Sequence, residues 1–477
     1  MGSSATVCAS MTPKPSQRHL VLNMDINKTV MTMDSVSGKT TSHIVNETLC
    51  HAAWGEEVDG KWVPVVSKPS LRRPARTTES LDSRCSGLVS YAEWLEKAWP
   101  GVENKRARNA SSGVFTESGQ PGEFLKHYAT EMLEPLHMPD GSELQILPSF
   151  FELLVWLKRE RRSFTLCFRT FGEDLPEMAR ELNRFCEGRH PLFPDVRMDG
   201  SDGDIDYRLD SDSSQFVGTF HRDHDTISLI LGTTDQAGEG RHKLVKDRSL
   251  DFYRAMKGVQ IFTGFDAVRE VLDKLCARRG TIGLRDYYKF WKAQKMTSDG
   301  GKIFLYNPLR CTQQHELFFD DNIRFSDCFI VQPMNLSALH RKAWVIPLLQ
   351  THLCRAELLE SIPDRQWFVK QVKRLEAGYE SKLRARERIQ LIMRSFLALK
   401  ESGHLSSRLL DAPDSPKPGE NFDVWAALRH SDDERCTAGD RYEPELFRQR
   451  TEADCTQLFR QRTEADCTES RTFSETL

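Results

Sequence analysis

Three short apolar runs in this chain end on groups suited to handling phosphorus. Leu20–Val30 reads LVLNMDINKTV, where Leu20, Val21 and Leu22 give way to Asp25, with Asn27 and Thr29 at alternate positions beyond it. Ser163–Phe168 (SFTLCF) is followed by Arg169 and Thr170, and Glu316–Asp320 (ELFFD) runs into Asp321 and Asn322. Each run is too short for a helix, so each reads as a buried strand with its polar group at the carboxyl end. Together these side chains suit phosphoryl transfer on a hard cation. Mg²⁺ takes carboxylate and carbonyl oxygens and keeps several waters; Asp25 and Asp320 offer carboxylates, and Asn27 a backbone carbonyl. A carboxylate also attacks phosphorus, dividing one difficult step into two. Thr170 can donate to the transferring oxygens. Lys302, after the glycine-rich turn Ser298–Gly301, can offset their charge.

For these groups to meet, the strands must lie side by side and in parallel, since ligands of open α/β sheets bind beyond the carboxyl ends of the strands. The intervening sequence supports that. Phe150, Leu153, Leu154 and Leu157 recur at helical spacing before the second run, and Leu175, Met178, Ala179, Leu182 and Phe185 after it. Asp174 and Glu177 predict an N-cap and capping box for the latter helix. Val259–Gly280 predicts another αβ segment, with Val268, Val271, Leu272 and Leu275 inward and Gly280 as the stop. Gln215–Phe220 and Thr226–Leu231 predict a hairpin around His221-Arg222-Asp223-His224-Asp225. That tip reads as polar turn chemistry ahead of a His-x-x-His metal site. A further strand is expected around Cys328–Val331. The expected class is α/β, with a doubly wound parallel sheet.

Material outside this rhythm falls into blocks. Residues 32–145 read as an inserted cap, with helices at Tyr91–Trp99 and Gly122–Leu136 and a polar loop at Asn104–Gln120; 190–255 is a second cap region. Gly38-Lys39-Thr40 resembles the end of a P-loop, but Met33 stands where that motif needs its first glycine. Residues 336–405 predict a helical extension. Its longest helix, about Arg365–Glu401, turns Trp367, Phe368, Val372, Leu375, Tyr379 and Leu383 to one face, for packing on the core ahead of binding a partner. Residues 1–16 and 406–477 read as disordered. The tail carries LFRQRTEADCT twice, at Leu446–Thr456 and Leu458–Thr468.

Composition is that of an ordinary globular chain. Net charge over 477 residues is −3, which argues against nucleic acid as the main partner. None of the twelve cysteines forms CxxC, which argues against a zinc ribbon, and their spacing suggests no disulfide framework. With no bilayer-length apolar run and no secretory leader, the expected setting is cytoplasmic. Met1-Gly2-Ser3-Ser4-Ala5-Thr6 fits the N-myristoylation pattern and Cys8 is near enough for a second acyl chain; one chain alone binds membranes only marginally.

The text VLNMDINKTV, FTLCFRT, a lysine before the fourth strand, and ELFFDDN resembles the four motifs of the haloacid dehalogenase-like (HAD) hydrolases. The resemblance covers about half of the chain, near 18–31, 148–190 and 255–335. It implies a Rossmannoid core over 17–335 with caps after the first motif and between the second and third. It also implies Mg²⁺-dependent hydrolysis of a small phosphorylated metabolite through an aspartyl-phosphate. On this similarity Asp25 is the nucleophile, Asp320 and Asp321 hold the metal with Asn27, and Thr170 and Lys302 hold the phosphoryl oxygens. Lys289, Lys292 and Lys295 are alternatives to Lys302. The family's phosphatases place an acid/base aspartate two residues after the nucleophile. Asn27 stands there instead, and its amide cannot cycle a proton near neutral pH. Lys28 and Asp34 are conceivable substitutes. A catalytically weak HAD-like scaffold or binding protein is the alternative function.

Overall fold

A computed structural model describes residues 18–32, 38–74, 87–138, 141, 143–210, 215–236, 250–306, 313–324, 329–336 and 345–401. Gly2, Cys8, Asp34 and the tandem repeat lie outside the described residues. The strands are β1 (His19–Asp25), β2 (Trp54–Val58), β3 (Lys61–Pro64), β4 (Val89–Ser90), β5 (Phe164–Thr170), β6 (Val217–Arg222), β7 (Ile227–Leu231), β8 (Gln260–Thr263), β9 (Gly280–Arg285), β10 (Lys302–Tyr306), β11 (Gln314–Asp320), β12 (Val331–Asn335) and β13 (Leu353–Arg355). The helices are α1 (Thr41–Ala52), α2 (Tyr91–Ala98), α3 (Lys105–Gly113), α4 (Lys126–Leu133), α5 (Pro148–Arg159), α6 (Leu175–Cys186), α7 (Asp251–Arg254), α8 (Phe265–Ala277), α9 (Tyr288–Ala293), α10 (Val345–Leu349), α11 (Leu358–Ser361) and α12 (Trp367–Glu401).

The fold is α/β, built on one large, mostly parallel sheet in the order β13-β11-β1-β5-β9-β6-β7-β8. β13 through β6 run parallel, and β7 alone is antiparallel to both its neighbours. Strand alternation sends side chains to both faces. Leu20, Leu22, Met24, Leu166, Phe168, Leu317 and Phe319 join α5, α6 and the start of α12 in one apolar cluster. Cys167, Ile282 and Leu284 pack with α8 on the other side, and Phe318 meets Phe304, Trp291 and Leu353. Burial on both faces explains why these strands read as unbroken apolar runs. β1 sits between β5 and β11, so the three predicted strand ends are neighbours.

Residues 38–136 form a separate layer on the same apolar cluster, with α1 to α4 around a small antiparallel sheet, β3-β2-β4. Trp62, Tyr91 and Phe115 form its aromatic centre, with Tyr91 and Phe115 stacked at 4.6 Å. Gly38-Lys39-Thr40 holds no phosphate loop: Thr40 caps α1 through the His43 amide, and Lys39 pairs with Glu47.

Several local expectations need correction. Asn104–Gln120 is no continuous loop, because Lys105–Gly113 is helical; KRARNASSG lacks apolar periodicity but contains good helix formers at its start. Asp174 does not cap α6. Its backbone is already helical (φ −79°, ψ −5°), whereas a cap residue must be extended, and Glu177 accepts instead from Gln145 Nε2 at 2.7 Å. Gly280 opens β9 with φ +136°, while α8 ends at Ala277. Of its predicted inward residues Val268, Leu272 and Leu275 are buried and Val271 is partly so. Of the strand expected around Cys328–Val331, Cys328 lies outside the described residues and Val331 opens β12, which pairs with β10 outside the main sheet. β6 and β7, within 190–255, are strands of the central sheet, and β13, beyond residue 335, forms its edge.

The chain divides into a unit ending at Ile392 and another beginning at Met393, of which only the end of α12 is described. In the first unit α12 packs through Trp367, Phe368, Val372, Leu375, Tyr379 and Leu383, and Arg162 holds Glu376 in a buried ion pair. No described helix is long and apolar enough to cross a membrane.

Candidate active site

Asp25 ends β1 opposite Arg169 of β5, Thr170 ends β5, and Asp320 ends β11. Parallel register therefore delivers all three to one edge of the sheet. Carboxylate oxygens of Asp25, Asp320 and Asp321 lie within 4.8 Å of one another. Asp25 and Asp320 are buried, while Asp321 is partly exposed.

Lys302 joins them from β10, which lies outside the main sheet. Its ammonium, 1 % exposed, donates to Asp25 Oδ1 and, at 2.8 Å, to Asp320 Oδ2. Phe171 lies 5.2 Å from the ammonium and stacks on Trp291. The turn before Lys302 is tightly placed. A Cβ on Gly301 would lie 2.5 Å from the Ile330 carbonyl, and Arg222 of β6 donates to the Gly301 carbonyl at 2.8 Å. Among the alternatives, Lys292 and Lys295 are exposed, and Lys302 is the one that reaches the carboxylates.

The loop after β1 is fixed by amides of Val30 and Met31 donating to the Ile26 carbonyl, with Lys28 at φ +57°. It carries a contributor that sequence reasoning left without a role. Thr29 Oγ1 donates to Asp25 Oδ2 at 3.2 Å and accepts from the Asp321 amide at 3.1 Å. One hydroxyl thus couples the carboxylate of β1 to the turn after β11. The only signal was a hydroxyl four residues after Asp25.

Asn27 faces another way. Its Nδ2 donates to Asp174 Oδ2 at 2.8 Å. Thr170 Oγ1 accepts from the Gly172 amide at 2.8 Å, and both Thr170 Oγ1 and Asn27 Nδ2 lie 3.4 Å from where a Gly172 Cβ would stand. The predicted residues therefore form two adjoining groups: Asp25, Lys302, Asp320 and Asp321 in one, and Thr170 and Asn27 with Asp174 in the other. Lys28 pairs with Glu47 at 3.0 Å.

Burial pushes the Asp25 carboxyl well above its ordinary value. Lys302 opposes that shift, and the charges of Asp320 and Asp321 add to it. Asp321 is pushed up to about 7 by burial and then by Asp320. The Lys302 ammonium is held above its usual range, since the attraction of Asp25 and Asp320 outweighs burial. With all three acids ionised, one ammonium leaves two negative charges. An all-oxygen donor set with that excess fits a hard divalent cation such as Mg²⁺. Among the described residues this is the one acidic, histidine or cysteine group compact enough to hold a metal. His221 packs against Tyr287 and His224 is exposed.

Comparison with family models, with curated proteins and with solved structures finds no match to this chain.

Proposed function

We propose that the chain is a Mg²⁺-dependent phosphatase of the HAD-like type, acting on a small phosphorylated metabolite. One observation carries this reading: three carboxylates and a buried lysine converge at the carboxyl edge of a parallel sheet, with Asp25 on the strand between the other two motif strands. In this reading an Asp25 oxygen attacks phosphorus, the bond to the leaving group breaks, and water later releases phosphate from the aspartyl-phosphate. Lys302 opposes the burial that pushes Asp25 toward its protonated form and balances charge on the phosphoryl oxygens. Thr170 donates to those oxygens, and Thr29 orients Asp25. Asp25, Asp320 and Asp321 would hold Mg²⁺, which supplies charge neutralisation at the transferring group.

The test is hydrolysis of p-nitrophenyl phosphate by the full chain, with and without Mg²⁺. Mg²⁺-dependent turnover that disappears in Asp25→Asn supports the proposal. Turnover unchanged by Asp25→Asn, or none from a folded protein across a broad phosphate panel, overturns it. The second reading, a binding protein on a weakened core, is favoured by the amide of Asn27 where a proton donor would serve.

A further inference from the structure

Resting on the phosphatase reading, we propose that Arg222 and Arg169 are positioning residues that fix Lys302 against Asp25 and Asp320. Among the described residues β10 pairs with β12 alone and forms no ladder with the main sheet. Strand register therefore does not set where Lys302 meets the carboxylates, and side chains must do so. Two guanidiniums from the main sheet hold the backbone carbonyls on either side of Lys302. Arg222 of β6 donates to the Gly301 carbonyl at 2.8 Å, and Arg169 of β5 donates to the Ile303 carbonyl at 2.8 Å.

Arg169 is itself locked. Its guanidinium is buried, and Nε and Nη2 grip the two oxygens of Asp286 just beyond β9, the Nε bond being 3.0 Å. The rings of Phe220 and Phe318 flank it at 5.3 and 5.6 Å. A two-pronged pair of this kind sets direction as well as distance, so the Ile303 carbonyl meets a donor held in one orientation.

Arg222 is used differently. Its Nη2 reaches the side-chain oxygen of Gln332 on β12 at 2.8 Å and the Asp299 carbonyl at 3.3 Å, with the Phe290 ring 4.4 Å from the guanidinium. These acceptors, like the Gly301 carbonyl, are neutral oxygens. Burial pulls the Arg222 guanidinium down to about 10, with Asp286 opposing the fall and Arg169 adding to it. Burying a cation on neutral acceptors costs stability, so stability alone is a poor reason for an arginine at this point. The segment His221–Asp225, which reads from sequence as turn chemistry, thus supplies a side chain that reaches the lysine's turn.

The turn they hold has no slack. A Cβ on Gly300 would stand 2.8 Å from Gln294 Cβ and 2.9 Å from Trp291 Cα, and the Lys302 amide donates to the Ile330 carbonyl at 2.7 Å. A shift at residue 301 therefore passes directly to residue 302. An ammonium on a four-carbon stem is a mobile point charge; pinning the peptide units before and after it leaves only its own side-chain torsions free.

Amine labelling tests the clamp without relying on turnover. The full chain is treated with limiting acetic anhydride, and acetylation of each lysine is followed by mass spectrometry. Arg222→Gln, and the milder Gln332→Met, are expected to raise labelling of Lys302 by about tenfold or more in the folded protein, with exposed Lys292 and Lys295 unchanged. With Mg²⁺ and p-nitrophenyl phosphate, kcat is expected to fall by about tenfold or more while KM changes by less than about threefold. Should Arg222→Gln fail to fold, Gln332→Met decides. Labelling of Lys302 at the wild-type rate in the folded variants, or raised labelling with unchanged kcat, overturns the clamp while the phosphatase reading stands. If the wild type hydrolyses no phosphate ester, that reading falls and the labelling still decides whether these arginines hold Lys302.

Discussion

Replacing Lys302 by methionine tests the charge arrangement directly. The ammonium sits 2.8 Å from Asp320 Oδ2 and also donates to Asp25 Oδ1. At an effective dielectric of about 20, a unit pair at that separation attracts by about 6 kcal/mol before desolvation is counted. Breaking a buried pair while leaving its partner charged costs about 3–5 kcal/mol. Unfolding entropy of roughly 2.1 cal/mol/K per residue, summed over the described residues, is about 0.7 kcal/mol/K. The melting temperature of Lys302→Met in cation-free buffer at pH 7.5 should therefore fall by about 4–7 °C. Mg²⁺ should then act as a substitute cation, binding the variant more tightly than the wild type. At 100 times its dissociation constant it restores about 2.7 kcal/mol, or about 4 °C. The assay is calorimetry of both proteins with MgCl₂ or NaCl at matched ionic strength. A variant that melts like the wild type without cation would refute the buried pairing. Equal Mg²⁺ shifts in both proteins would refute the competition between lysine and metal. Turnover should stay at least about 10²-fold down even when the fold is rescued, because Mg²⁺ does not replace the lysine's contact with the phosphoryl oxygens.

Acid should weaken the β11–β13 region first. His315 is held well below its ordinary value, and His352 is lowered to about 4, chiefly by burial. Both therefore stabilise the fold fully above about pH 6.5, and that stability is lost as pH falls through the folded values. At about 1.36 kcal/mol per unit, His352 alone contributes ~3 kcal/mol between pH 6.5 and 4; urea midpoints across that range should fall, and fall less in His352→Gln. Arg162→Met, which strands buried Glu376, should cost about 3–5 kcal/mol in urea denaturation, and most of it should return in Arg162→Met/Glu376→Met.

The strand ends were legible because a core strand buried on both faces must be apolar until it reaches the sheet edge. Asp25, Thr170 and Asp320 mark that edge in the text itself. Their convergence followed from parallel register, which places equivalent ends together. What was hidden depends on partners far away in sequence. Thr29 gains its role only because the turn after β11 returns its Asp321 amide, 292 residues on. Arg169 and Asp286 form a buried pair across β5 and the end of β9 that no local pattern announces. β13 is three residues long and carries no periodicity to recognise. Asp174 shows the opposite failure. Its spacing to Glu177 matches a capping box, yet a hydrogen bond to Asn27 and a helical backbone at residue 174 take the carboxylate elsewhere.

Asn27 looks like a loss only when residue 27 is considered alone. Asp25, Asp320 and Asp321 already crowd one small volume, and burial with mutual repulsion holds Asp25 and Asp321 toward the protonated form. A fourth carboxylate at residue 27 would add repulsion where the lysine and one dication balance three charges. An amide there adds no charge, and its Nδ2 hydrogen bond to Asp174 Oδ2 ties the loop after β1 to the entry of α6.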